Sequence, residues 1–112
     1  MKADRKSIYE KYDGHCAYCG KEITVKDMQR DHFIPKYAGG TDDISNMMPS
    51  CRNCNYYKSA YHVETFRDLL KTIHERVRKI YIVRVCIDYG IIKIANFDGL
   101  FYFEKQKQNG NN

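Results

Sequence analysis

The sequence predicts a small α+β fold, on three observations. Four of the five cysteines form two Cys-x-x-Cys pairs, Cys16/Cys19 and Cys51/Cys54, separated by a polar insertion. Val63, Phe66, Leu69, Leu70, Ile73 and Val77 make one apolar stripe at helical spacing. Short segments of extended character, with turn residues beside them, occupy the insertion and the region after residue 90. With 112 residues the chain has room for one domain and hardly for two. We expect that domain to span residues 1–105, with its core at 15–60 and a polar, disordered tail at 106–112.

The elements follow in order. Residues 4–12 read as a short helix: Asp4 can cap it, Ile8 and Tyr12 share a face, and Asp13-Gly14 ends it. Cys16-Ala17-Tyr18-Cys19-Gly20 is a first knuckle, with Gly20 suited to its tight turn. An extended arm covers Met28 to Phe33 and stops at Pro35. Residues 36–45 carry Gly39-Gly40 and Asp42-Asp43 and read as a loop. Asn46-Met47-Met48-Pro49 leads into the second knuckle, Cys51-Arg52-Asn53-Cys54, from which a helical turn runs through Asn55 to Lys58. Residues 80–89 are open between two states. Their β-branched residues favour strand, yet Gly90 sits where a helix would be capped. Residues 91–95 and 100–104 read as a C-terminal β-hairpin turning at Asn96-Phe97-Asp98-Gly99.

A domain this small buries a modest fraction of its surface, so a metal staple would help it fold. Two Cys-x-x-Cys knuckles supply the four thiolates of a tetrahedral structural zinc site. Unligated thiols or a redox pair are the alternatives, and two such pairs seldom coincide by chance. Four cysteines leave no open position, so this zinc would be structural. Cys86 reads as a small buried hydrophobe.

The formal charge of +5 suits a polyanionic partner. No apolar run approaches the roughly 20 residues of a membrane helix. The start, Met1-Lys2-Ala3-Asp4-Arg5-Lys6, leads into no apolar signal-peptide core. An intracellular, cytoplasmic protein with no membrane partner is expected.

The insertion carries Asp31-His32-Phe33-Ile34-Pro35, Gly39-Gly40 and Asn46, and Cys51-Arg52-Asn53-Cys54-Asn55-Tyr56-Tyr57-Lys58 closes it. In this order and spacing, residues 15–58 resemble the HNH endonuclease family in its four-cysteine zinc form. Phe66-Arg67, Tyr89-Gly90 and Phe101-Tyr102-Phe103-Glu104 also look like the flanks of small phage and bacterial members, which makes a phage-encoded origin compatible.

The resemblance implies a treble-clef-like ββα-metal core: two antiparallel arms and a helix gripping one divalent ion. It puts a catalytic metal ligand at Asp31, the general base at His32, a supporting asparagine at Asn46 and a second metal ligand at Asn55. It thus implies a metal-dependent endonuclease hydrolysing DNA phosphodiesters, duplex DNA as partner, and catalytic Mg²⁺ or Mn²⁺ beside the zinc. No DNA-reading domain is recognisable, so a protein partner supplying specificity is compatible. Phe33 stands where an aliphatic residue is common, and Asn55 replaces the histidine of many members; an oxygen ligand there suits a hard cation.

The chemistry stands beside the family. Phosphodiester hydrolysis needs a base for water near neutral pH and a cation for phosphate charge. Neighbours on a strand point to opposite faces, so a bend in the arm or a bridging geometry must bring Asp31 and His32 to one substrate. Singly, each residue has an ordinary reading: His32 a half-buried histidine, Asp31 a solvated charge, Asn46 a turn residue, Asn55 a helix cap. Arg30, Lys36, Arg52 and Lys58 can meet phosphates. Tyr18, Tyr37, Tyr56, Tyr57 and Tyr61 can stack on bases, but most are expected in the core. His15, His62 and His74 carry no motif and read as structural or surface residues.

Two other classes compete. A non-catalytic zinc-knuckle nucleic-acid-binding module explains the cysteines and charge but not why Asp31, His32 and Asn55 sit together. A zinc deaminase needs a His-x-Glu that His32-Phe33-Ile34 lacks.

Overall fold

The computed structural model describes residues 2–108. The order is α1 (Arg5–Glu10), β1 (Gln29–His32), a 3₁₀ turn (Lys36–Ala38), β2 (Met47–Ser50), α2 (Arg52–Lys58), α3 (Val63–Val77), α4 (Tyr81–Asp88) and α5 (Tyr102–Gln108). The chain divides into two compact units: residues up to Val63 together with those from Leu100, and Glu64–Gly99.

The first unit is built around a two-stranded antiparallel sheet. β1 pairs with β2 so that Asp31 faces Met48 and His32 faces Met47. Pro49 lies in β2 opposite Arg30; a two-stranded sheet has only edges, where a missing N–H is tolerated. α1 begins as its sequence demands, the Asp4 carboxylate accepting from Ser7 N at 2.7 Å. Its apolar face puts Ile8 against Met28 and Met47, with Ala3, Tyr9 and Ile23 packed around them. Two cations fasten α1 to the insertion. Arg5 donates to the carbonyls of Val25, Lys26 and Met28, and Lys11 donates to those of Ile44 and Met47.

Residues 100–104 do not form a strand, and the expected hairpin with 91–95 is absent among the described residues. The consecutive aromatics Phe101-Tyr102-Phe103 have strand propensity, but a helix start with its own cap prevails. Glu104 Oε1 accepts from Phe101 N at 2.9 Å, the reach-back of an N3 glutamate to the residue that opens a helix. Tyr102 N and Phe103 N donate to the carbonyls of Tyr18 and Ala17, so the helix start also docks on the first knuckle. Residues 106–108 of the expected disordered tail continue α5; the rest of that tail lies outside the described residues.

In the second unit, α3 carries the stripe read from sequence. Arg67 clasps Glu64 and reaches the Gly99 carbonyl at 2.6 Å. The open question at 80–89 resolves as helix α4, and Gly90 decides it. Gly90 has φ +73°; its N–H bonds Ile87 O while Ile91 N bonds Cys86 O. That 5→2 and 6→1 pairing is a Schellman stop, which outweighs the β propensity of the isoleucines and valines. Cys86 is half-buried on α4.

No helix among the described residues is long and apolar enough to cross a membrane.

The loop after β1 is held by a glycine that touches backbone. A Cβ at Gly40 would lie 1.7 Å from Ile34 O, whereas one at Gly39 meets nothing within 4 Å although its φ is +92°. Gly40→Ala should therefore cost about 1–3 kcal/mol or more, with Gly39→Ala milder. Denaturant unfolding of the two variants compares them directly; equal costs would mean that the loop moves freely away from Ile34.

Candidate functional site

The knuckles come together as their spacing predicts. The sulfurs of Cys16, Cys19, Cys51 and Cys54 all lie within 4.8 Å of one another. Cys19 Sγ and Cys51 Sγ are 3.9 Å apart. Two thiolates each about 2.3 Å from one zinc at the tetrahedral angle would stand about 3.8 Å apart, so the cluster fits a zinc ion. Local structure builds both halves. Gly20 at φ +82° turns the first knuckle back, its N–H on Cys16 O at 3.0 Å. Cys51 opens α2 as its N-cap, its sulfur accepting from Cys54 N at 3.3 Å. The thiols perturb one another. Hydrogen bonds from Cys19 and Cys54 pull the Cys16 thiol far below its usual range. Bonded to Cys16, Cys19 is pushed up to about 11, and Cys54 is raised further. A bound cation would displace the thiol protons.

The staple sets α2 against β1. Asp31 is 4% exposed. Its carboxylate accepts from the Tyr18 hydroxyl and from Lys58 Nζ at 3.2 and 3.3 Å. Lys58, read as a phosphate-facing cation, is instead 1% exposed and also donates to His32 O at 3.2 Å. Burial raises the Asp31 carboxyl, and the Tyr18 and Lys58 contacts oppose that shift. Tyr18 is raised well above its usual value, by burial first and then by Asp31. Tyr18 therefore links a knuckle to the aspartate, a role missed in the sequence, where nothing distinguishes it from the other knuckle residues. Its ring is walled edge-on by Phe101 and Phe103.

Of the tyrosines expected in the core, Tyr18 alone is buried. Tyr37, Tyr56, Tyr57 and Tyr61 are exposed, Tyr56 at 86%, because they ride on the outer side of α2 and in loops. His15 stacks on Tyr102, and His62 meets Tyr37 edge-on.

His32 ends β1, one residue beyond Asp31. Asp31, His32 and Asn55 line one cleft of about 300 Å³, with Arg30, Pro35, Lys36, Tyr37, Ser59 and Ala60 around them. His32 Nε2 lies 2.7 Å from Asp42 Oδ1. Hydrogen bonding to His32 lowers the Asp42 carboxyl. Asn46 clamps the loop: Oδ1 accepts from Ile34 N at 2.8 Å, and Nδ2 donates to Ile34 O and to Thr41 O. Its carbonyl also accepts from Phe33 N at 2.8 Å. Arg52 is exposed on the first turn of α2 and is not among the residues lining the cleft.

Asp31 and Asn55 together offer a carboxylate and an amide oxygen, a donor set that fits a hard divalent cation. A carboxylate accepts at about four lone-pair positions, so Tyr18 and Lys58 leave Asp31 capacity for one more partner.

A family model described as HNH endonuclease matches residues 16–71. Over 44 residues, 38% of the chain, the sequence is 39% identical to the CRISPR-associated endonuclease Cas9 of Corynebacterium diphtheriae; the match spans only 4% of that protein. The family match reaches from the first zinc-knuckle cysteine into α3 and covers half of the chain, and the chain belongs to the HNH endonuclease family.

Two measurements follow from this geometry. Purified protein should carry about one zinc per chain by elemental analysis, and Cys16→Ser or Cys54→Ser should unfold it, since metal binding and folding are coupled in such sites. A stable fold without metal would remove the zinc from the account. Tyr18→Phe should keep that zinc yet lose about 1.5–3 kcal/mol in denaturant unfolding, the scale of a hydrogen bond to a charged group. Unchanged stability would mean that Asp31 does not depend on the tyrosine.

Proposed function

We propose that this chain is a metal-dependent DNA endonuclease in which His32 is the general base and Asp31 and Asn55 hold one catalytic Mg²⁺ or Mn²⁺. The observation that carries the reading is the shared cleft: Asp31, His32 and Asn55 line one opening flanked by the cations Arg30 and Lys36. Membership of the HNH endonuclease family supports action on nucleic acid.

In this reading a DNA phosphate enters between Arg30 and Lys36, both exposed and so able to meet it without loss of packing. Arg52 on α2 meets the backbone further along. Neutral His32 takes a proton from a water molecule as the oxygen–phosphorus bond forms. The bond from phosphorus to one sugar oxygen breaks, and that oxygen leaves with a proton from solvent. A divalent ion held by Asp31 and Asn55 would neutralise charge on the phosphate and on the departing oxygen. Lys58 keeps the Asp31 carboxylate turned inward and holds the His32 carbonyl, so it serves the site from behind instead of touching phosphate. Asn46 holds the two residues after His32 and thereby the end of the strand. Duplex DNA is the substrate we infer, gripped chiefly by charge, with any sequence preference left to a partner protein. The +5 charge and the few basic residues around the cleft support that inference.

The test is single-turnover plasmid cleavage beside a binding assay. His32→Ala should keep zinc, fold and affinity while cutting falls roughly 10²-fold or more. Brief chelation should stop wild-type cutting before it strips the four-thiolate zinc, and added Mg²⁺ or Mn²⁺ should restore it. Full cutting by His32→Ala refutes the base, and full cutting in chelator refutes the second metal. Binding without cutting under every divalent ion would favour a nucleic-acid-binding module.

A further inference from the structure

Asp42 belongs to none of the roles above, yet it makes the closest polar contact of the base. Its Oδ1 stands 2.7 Å from His32 Nε2, with the two side chains 34% and 24% exposed. The sequence placed Asp42 in a glycine loop beside Asp43, where it read as a turn residue.

The loop delivers this carboxylate on a fixed path. Asn46 Nδ2 binds the carbonyl of Thr41, the residue before Asp42, at 2.8 Å. The same asparagine binds Phe33 and Ile34, the two residues after His32. Gly40 lies so close to Ile34 O that no side chain fits between them. On its other side the carbonyl of Asp42 accepts from Ala3 N at 2.8 Å. Histidine and aspartate are thus both tied to one buried asparagine. Lys2 lies near the same carboxylate, and Lys36 stands 3.9 Å away on its other oxygen and is 69% exposed. Lys36 is too distant and too solvated to compete for the carboxylate.

We propose that Asp42 is a positioning residue for His32: its carboxylate accepts the Nε2–H, fixes the rotation of the ring and leaves the lone pair of the neutral imidazole on Nδ1. The proposal rests on the reading of His32 as base. A neutral imidazole has one N–H and one lone pair, and the partner of the N–H selects which nitrogen accepts a proton. With Nε2–H committed to Asp42, the proton taken from water goes to Nδ1. It stays there when the phosphorus–oxygen bond breaks, and none passes to Asp42. The carboxylate then faces an imidazolium, an attraction that grows as the water gives up its proton.

The experiment uses the full zinc-containing chain. Single-turnover plasmid cleavage, DNA affinity, zinc content and melting are measured for wild type, Asp42→Ala, Asp42→Asn, His32→Ala and the Asp42→Ala/His32→Ala pair. Long-range ¹H–¹⁵N spectra read the His32 tautomer. Asp42→Ala should lower the cleavage rate roughly 10- to 100-fold with affinity and zinc unchanged, the scale seen when the outer partner of a functional histidine is removed. Asp42→Asn, which retains an oxygen to accept Nε2–H, should recover part of that loss. In the His32→Ala background Asp42→Ala should add nothing. The spectra should show Nε2–H in wild type and a mixture in Asp42→Ala. Wild-type cutting by Asp42→Ala with an unchanged tautomer overturns the proposal. So does an additive loss in the double variant. If His32→Ala itself cuts normally, the base reading fails instead, and the tautomer spectra alone decide whether Asp42 holds the ring. Should Asp42→Ala lose its fold, the Asp42→Asn spectra and rates carry the test, and an unchanged tautomer with full activity there overturns the proposal.

Discussion

Four sulfurs within 4.8 Å of one another hold the start of a long insertion against its end. Everything at the site is reached from that closure. The first knuckle carries Tyr18 between its cysteines, and the second opens α2 with Cys51 as cap. Closing them presents the Tyr18 hydroxyl and the Lys58 ammonium to the same carboxylate from two sides. A buried carboxylate with neither partner would be costly to keep charged. The closure that shapes the domain therefore also makes a buried Asp31 tolerable.

β1 then sorts two adjacent residues into different settings. Asp31 points inward to Tyr18 and Lys58, and His32 points toward the Asp42 loop. The alternation of a strand would separate them entirely. They line a common cleft because His32 is the last residue of β1, where the chain is already leaving the sheet toward Pro35. The departing chain needs a fixed course, and Asn46 gives it one through three side-chain bonds and one backbone bond. An interior asparagine satisfied in this way rigidifies the backbone it joins.

Three features of the structure depart from local pattern for one cause. Residue type and local pattern favour a hairpin at 91–104, a surface Lys58 and buried tyrosines, and among the described residues the structure has none of these beyond Tyr18. Phe101, Tyr102 and Phe103 have strand propensity, but Glu104 reaches back to cap a helix, and the knuckle carbonyls of Ala17 and Tyr18 take the N–H groups of 103 and 102. Lys58 lies three residues after Asn55, as read, but which side of that helical face meets Asp31 depends on where the knuckles set α2. Tyr56 and Tyr57 fall on its outer side for the same reason. Gly90 is the contrary case, in which a local signal outweighed propensity, because a residue at positive φ is a constraint and a β-branched residue is only a preference.

Spacing along the chain picks out the four cysteines that could hold zinc, the capped start of α1, the apolar stripe of α3 and the grouping of Asp31, His32, Asn46 and Asn55 that resembles the family. Each rests on spacing along the chain, and spacing survives without coordinates. The partners emerge only from the folded chain: Tyr18 and Lys58 for Asp31, and Asp42 for His32. Those contacts join residues 10 to 27 positions apart through a loop and a knuckle. Their geometry is set by where the two knuckles come to rest against each other, and no local pattern encodes that.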